Sequence, residues 1–267
     1  MKFSQLNHYG KKWSAYDLIV KGSYPRLHQE GLDSYRFFNG YIQTYIERDV
    51  RTLVNIKNLN LFQTFLTLVS GRVGQIVNYT SLGNDIGISG MAVKNWISVL
   101  KASFVIFELY PFFENINKRV IKSPKIYFTD TGLVSHLLGI QTSHQAGRDP
   151  LRGGLYENFI ILEILKSSFN QGIRPELFFF RDTHGNEVDL IIKKQRQLIP
   201  VEIKSSHTFT RDFLKGIHKF RALTKDKCGH GYVFYDGETE FETEDISIQN
   251  ILIHKNELVN IHESQMK

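Results

Sequence analysis

A single cysteine, Cys228, occurs in this 267-residue chain, which excludes an intrachain disulfide and makes a reducing compartment the simplest setting. A lone thiol in mixed sequence reads as a small core or loop residue rather than a nucleophile. No stretch approaches the roughly 18 consecutive apolar residues of a membrane-spanning helix, and Met1-Lys2-Phe3-Ser4-Gln5 opens without a signal-peptide core. A soluble, cytoplasmic protein with no membrane partner is expected. The ten histidines show no metal-ligand spacing, and no Ser/His/Asp order is distinctive enough for acyl transfer. Nowhere does Gly-x-x-x-x-Gly-Lys-Ser/Thr occur; Gly10-Lys11-Lys12-Trp13 lacks both the first glycine spacing and the hydroxyl, so ATP hydrolysis is not expected. Internal repeats and low-complexity segments are absent as well.

Apolar side chains are plentiful. Hydrophobic residues make up 42% of the chain and aromatic ones 13%, enough for packed cores in one large or two modest domains. The net charge of +6 and a pI near 9.2 suit a polyanionic partner, although where the charges cluster matters more than their sum.

Residues 1–35 carry no strong period and contain the turn signal Gly22-Ser23-Tyr24-Pro25-Arg26. Over 33–52, Phe37, Tyr41, Ile42, Tyr45 and Ile46 recur at helical spacing, so 1–52 reads as a helical lead-in. A further helix is expected at 59–70. The run from Thr80 through Gly87 to Ser89 reads as an N-cap, a short helix, a glycine turn and a second N-cap. The next helix, 91–101, turns Val93, Trp96, Ile97 and Leu100 inward and Lys94 and Lys101 outward. Strands follow at 104–109 and 120–128, joined through Asn115-Ile116-Asn117-Lys118-Arg119. Helix-turn-helix plus hairpin makes 53–139 a winged helix. From Asn115 to Thr129 there are four basic residues and no acidic one, so Lys94, Lys101, Lys118, Arg119, Lys122 and Lys125 are the candidate DNA contacts. A plain three-helix bundle with glycine turns would give the same pattern. Asp130-Thr131-Gly132 reads as a capped turn.

Residues 140–154 are polar, bear glycine and read as a linker. The second domain, 155–267, orders as helix 155–168, strand 176–180, turn His184-Gly185-Asn186, strand 187–192, strand 198–204, helix 210–223 and strand 231–235. This α/β order is α-β-β-β-α-β. An acidic solvated loop is expected at 238–245 and a last strand at 251–254.

Chemistry concentrates in two of these strands. Glu187, Asp189 and Ile191 alternate with Val188, Leu190 and Ile192, while Glu202 and Lys204 alternate with Val201 and Ile203. A tight loop at 194–197 would pair Lys193 with Leu198, Asp189 with Glu202 and Glu187 with Lys204, partners about 4.5 to 5.5 Å apart at Cβ. Opposed like charges beside apolar neighbours are destabilising unless a cation such as Mg²⁺ ligates them. Lys204 would then steady an attacking water or the charge developing on phosphorus. The alternatives are that the acids splay into solvent or that the register slips. His207, just after Lys204-Ser205-Ser206, could approach a phosphate or simply be a solvated loop residue.

The element order of 155–236, with Asp on the second strand and Glu-x-Lys on the third, resembles the PD-(D/E)xK nuclease superfamily, a restriction-endonuclease-like fold. That resemblance implies a site of Glu157, Asp189, Glu202 and Lys204, with Mg²⁺ held by Asp189, Glu202 and Glu157. Read by itself, Glu157 is equally a first-turn carboxylate favouring the helix dipole, worth about 0.3 to 1 kcal/mol. Val188, not a proline, stands immediately before Asp189, which departs from the superfamily pattern.

Upstream, Tyr41-Ile42-Gln43-Thr44-Tyr45-Ile46-Glu47-Arg48-Asp49-Val50 and Lys118-Arg119-Val120-Ile121-Lys122-Ser123-Pro124-Lys125-Ile126-Tyr127-Phe128-Thr129-Asp130-Thr131-Gly132-Leu133 resemble the C-terminal half of a large prokaryotic family of AAA-type ATPases. In that family a winged-helix region and a nuclease-like domain follow the P-loop ATPase. The resemblance covers 22–220 and makes 1–52 similar to the end of an ATPase lid, as in a fragment, a truncated relative or a split-gene product. A DNA-binding protein with Mg²⁺-dependent phosphodiester hydrolysis is therefore expected. The alternative is a catalytically silent binding module that serves a separate ATPase or a protein partner.

Overall fold

The computed structural model of the chain describes residues 13–46, 48, 59–112 and 123–252. They divide into two compact units, one of residues 13–108 and 123–158, the other of 109–112 and 159–252. Helices come first along the chain and a mixed parallel and antiparallel sheet follows.

In the first unit, Ser14 and Asp17 form a capping box at the start of α1 (Ala15–Lys21). Pro25 opens α2 (Pro25–Gln29), where a missing N–H costs nothing. Asp33 caps α3 (Ser34–Tyr41), which continues as a π-helical turn, Ile42–Ile46. The remainder of the helix expected over 33–52 lies outside the described residues, Arg48 apart. Next come α4 (Leu59–Ser70), α5 (Tyr79–Ile86) and α6 (Gly90–Ala102). Trp96 of α6 meets the rings of Phe62 and Phe65 of α4 edge-on at 5.5 and 5.1 Å, which seats the apolar stripe of α6 in this core.

The cap of α5 is Asn78, whose side chain accepts from the Ser81 N–H; Thr80, expected in that role, lies inside the helix. Gly87 adopts a left-handed conformation at φ 74° and ends α5, and Ser89 caps α6 as expected. Gly83 is required by a close approach, because a Cβ there would lie 2.5 Å from the Ile88 carbonyl oxygen. Strand β1 (Ile106–Pro111) neighbours β2 (Lys125–Phe128). The segment expected to join the two strands, with Lys118, Arg119 and Lys122, lies outside the described residues. After β2 come α7 (Thr131–Leu137), α8 (Ser143–Arg148) and α9 (Arg152–Asn170). The stretch 140–154, read from sequence as a linker, thus carries α8 and the first residues of α9. The signal was there: Thr142 and Gln145 form a capping box.

The second unit is built on its sheet. From the end of β1 the strands lie in the order β1, β3 (Glu176–Arg181), β4 (Glu187–Lys194), β5 (Gln197–Lys204), β6 (Gly231–Tyr235), β8 (Ile246–Gln249), β7 (Phe241–Thr243). Strands β3, β4 and β5 are antiparallel, whereas β5, β6 and β8 run parallel. Between β5 and β6 lies α10 (Lys215–Thr224), the crossover that a parallel pair requires. Phe220 of α10 packs with Phe112, Phe180, Val188, Ile191 and Leu198, while Leu214 and Ile217 pack with Val233, Tyr235, Ile246 and Ile248. The segment expected as an acidic loop holds β7, and the last strand among the described residues is β8; of the strand expected at 251–254, residues 251–252 form a turn and 253–254 lie outside the described residues. Ile246 and Ile248 alternate with Ser247 and Gln249, a pattern the neighbouring acids obscure.

Candidate functional site

The hairpin of β4 and β5 has the predicted register: Lys193 pairs with Leu198 and Leu190 with Val201. One more step puts Asp189 beside Glu202. On the other edge of β4 the ladder is irregular. Phe178 pairs with Ile191 and Phe180 with Val188, so Phe179 alone opposes both Asp189 and Leu190, a β-bulge. The extra residue breaks the alternation. Val188 and Ile191, which strict alternation would send to opposite faces, join one core cluster.

At this bulge the Asp189 carboxylate turns toward β5 and accepts the backbone N–H of Ile203 at 2.8 Å. Lys204 Nζ donates to Asp189 Oδ2 at 3.0 Å and to Glu202 Oε2 at 2.5 Å. Two acids and an amine therefore meet at one point. The acids are buried, Glu202 with 5% of its side chain exposed and Asp189 with 13%, whereas the Lys204 side chain keeps 31%. Burial first, then the Asp189 charge and its hydrogen bond, push the Glu202 carboxyl well above the usual carboxylate range. For Lys204, burial works to lower the ammonium pKa. The Asp189 and Glu202 charges more than reverse that and hold it above its ordinary value.

Sequence reasoning missed Gly216, near the start of α10. A Cβ at this position would stand 2.0 Å from Glu202 Oε1 and 2.2 Å from the Glu187 carbonyl oxygen. Helix backbone and carboxylate touch there, and no other residue type leaves the room. An isolated glycine inside a helical pattern, Lys215-Gly216-Ile217, was the available signal.

Glu187 pairs with Arg181 NH1 at 3.3 Å, directly across the β3–β4 ladder. Lys204, expected opposite Glu187, is instead turned to Asp189 and Glu202. Glu157 belongs to the first unit. Since α9 begins at Arg152, it lies beyond the first turn, and its Oε1 accepts from Lys125 Nζ at 2.9 Å and from the Tyr127 hydroxyl at 2.5 Å. Among the described residues no group of three or more His, Cys, Asp or Glu is gathered to hold a metal ion; Asp189 and Glu202 stand as a pair.

The basic residues separate into distinct settings. Lys94 is exposed on α6. Lys101 is paired with Glu108. Lys125, expected as a surface contact, is 3% exposed and committed to Glu157, because all of β2 is buried.

With this geometry in place, comparison with known proteins is informative. Residues 12–144 match the family described as Domain of unknown function (DUF8612), and residues 152–254 match the one described as Domain of unknown function (DUF4143). The chain is also 28% identical over 215 residues to Uncharacterized protein Mb2031c of Mycobacterium bovis and, equally, to Uncharacterized protein Rv2008c of Mycobacterium tuberculosis. Each alignment covers 80% of this chain and 46% of the relative, so the chain spans about half the length of the curated relatives it matches. Among the described residues, no helix is long and apolar enough to cross a membrane.

Proposed function

We propose that the second unit is a PD-(D/E)xK-type phosphodiesterase that cleaves DNA with a divalent cation. The observation that carries this reading is the convergence of Asp189, Glu202 and Lys204 at one point of a bulged hairpin. A nuclease needs acids that hold a cation and an amine that meets the phosphate. Two desolvated, adjacent carboxylates, of which Glu202 has a raised proton affinity, are a hard oxygen donor set suited to Mg²⁺. Asp189 and Glu202 are the residues that would hold it. The ion would polarise a phosphoryl oxygen and acidify a bound water. Lys204, with three N–H donors and no acceptor, neutralises charge developing on phosphorus. The Ile203 N–H and Gly216 fix the acids in place.

The first unit supports a winged-helix reading through α5, the left-handed turn at Gly87, α6 and the β1–β2 pair, with Lys94 on the exposed side of α6. In this reading it grips phosphates and brings DNA to the hydrolase.

A second reading has its own support. The cluster is internally satisfied, with Lys204 bonded to both acids, and Glu157, in the first unit, is engaged there by Lys125 and Tyr127. A catalytically silent binding module, acting with a separate P-loop ATPase or a protein partner, needs nothing more. Cleavage assays on duplex, branched and single-stranded DNA with Mg²⁺ or Mn²⁺ separate the two. The nuclease reading expects wild-type cleavage that disappears in Asp189→Ala and Lys204→Ala variants of unchanged circular dichroism. Inert wild-type protein on all three substrates favours the silent module.

A further inference from the structure

A second polar arrangement stands beyond the end of β5. Strands β5 and β6 run parallel with Lys204 opposite Tyr235, so the loops leaving their C-terminal ends emerge side by side. The two loops are tied together. The Asp236 N–H donates to the Ser206 carbonyl at 3.2 Å, and within the first loop the Thr208 N–H donates to Ser206 Oγ at 3.2 Å. Gly237 lets the backbones touch, since a Cβ there would lie 2.4 Å from the His207 carbonyl oxygen.

On this support sits His207, with its side chain 77% exposed and its Nδ1 2.7 Å from the Asp236 carbonyl oxygen and 3.4 Å from Asp236 Oδ2. A carbonyl oxygen only accepts. The contact therefore places a proton on Nδ1, and in the neutral ring the lone pair is on Nε2. The neighbouring carboxylate, itself only 10% exposed, holds the ring from the same side. This is how a histidine is prepared to take a proton in catalysis. Its location also fits, because open α/β sheets bind ligands outside the carboxyl ends of their strands. Three residues of chain, which span at most about 10 Å, separate it from Lys204.

We infer that His207 is the general base for hydrolysis at the Asp189–Glu202–Lys204 cluster, with Asp236 as its positioning residue. The inference rests on the nuclease reading and names the proton acceptor that reading lacks. In the step, the water oxygen forms a bond to phosphorus and its proton passes to Nε2. The bond from phosphorus to the leaving sugar oxygen breaks, and that oxygen takes a proton from solvent. The charged group set against the ring is Asp236; the Lys204 ammonium, upstream on β5, is turned to Asp189 and Glu202.

The test uses the full chain, DNA of the three forms above, Mg²⁺ or Mn²⁺, and a pH series. His207→Gln should slow cleavage about 100-fold and flatten the pH profile, as loss of a general base does, and Asp236→Asn should fall between it and wild type. Imidazole ¹⁵N spectra of the metal-free protein should show His207 protonated at Nδ1. If wild type cleaves, Asp189→Ala does not, and His207→Gln keeps both rate and pH profile, the base assignment is wrong and the nuclease reading stands. A proton on Nε2 in those spectra overturns the assignment independently of activity. Wild-type protein that cleaves nothing removes both.

Discussion

At the scale of single residues the site depends on atoms that are not there. Gly216 keeps the α10 backbone against Glu202 because it has no Cβ. Gly216→Ala should push the carboxylate out of place, costing about 1 to 3 kcal/mol of stability as overpacking does and weakening Mg²⁺ binding followed by calorimetry. Gly153→Ala is the control, since a Cβ there meets nothing within 4 Å and alanine suits a helix better than glycine. Equal urea midpoints for the two variants would show that the helix does not hold the acid. Asp236 makes a different prediction. Burial pushes its carboxyl up from the ordinary 3.8 to about 6, with His207 pulling the other way. A raised acid pKa means that the folded chain holds the proton more tightly than the unfolded one. The stability it contributes is therefore complete below about pH 4 and is lost as pH rises through about 6. Asp236→Asn stays neutral throughout, so its urea midpoint should gain on wild type across that window; parallel curves would contradict the assignment.

At the scale of elements, the ends of helices and the irregularities of strands decide where functional groups stand. Asp130, the N-cap of α7, is 2% exposed. Its Oδ1 accepts from the Gly132 and Leu133 N–H groups, and its Oδ2 from the Ser23 N–H and hydroxyl at 2.7 and 2.8 Å. Removing the carboxylate strands several buried donors at once, so Asp130→Ala should cost about 3 kcal/mol or more in urea unfolding, against about 1 kcal/mol for Ser23→Ala. Similar losses for both would mean that the carboxylate is not the anchor. How much of this was legible in sequence follows the range of the interaction. The β4–β5 register was, because alternation and a short turn are local, and so was the meeting of Asp189, Glu202 and Lys204. The bulge was not, since it exists only where β3 sets Phe179 against Asp189 and Leu190. An isolated glycine in a helical pattern marks Gly216 in sequence, but what it makes room for was out of reach, because its neighbours Glu202 and Glu187 lie on other elements. The cap of α5 moved by two residues, the ordinary uncertainty of a helix end.

At the scale of the whole molecule, the proposed function asks which lysines of a chain with net charge +6 would meet DNA. Charge in a sequence says nothing of which lysines are available, and the first unit divides them. Lys94 is exposed on α6, whereas Lys125 is buried against Glu157. A lysine that contacts phosphate releases counterions, and each such contact adds about 0.9 to the slope of log affinity against log salt. A buried lysine adds nothing to that slope. Affinity for a duplex, measured by fluorescence anisotropy from low to moderate salt, should fall steeply for wild type, and Lys94→Ala should lower the slope by about 0.9. Lys125→Ala should leave the slope unchanged while lowering thermal stability, because it leaves the Glu157 carboxylate short of its cation. The opposite assignment, with the slope sensitive to Lys125 and indifferent to Lys94, would place the DNA on another face. Binding absent even at low salt would turn the search from nucleic acid to a protein partner.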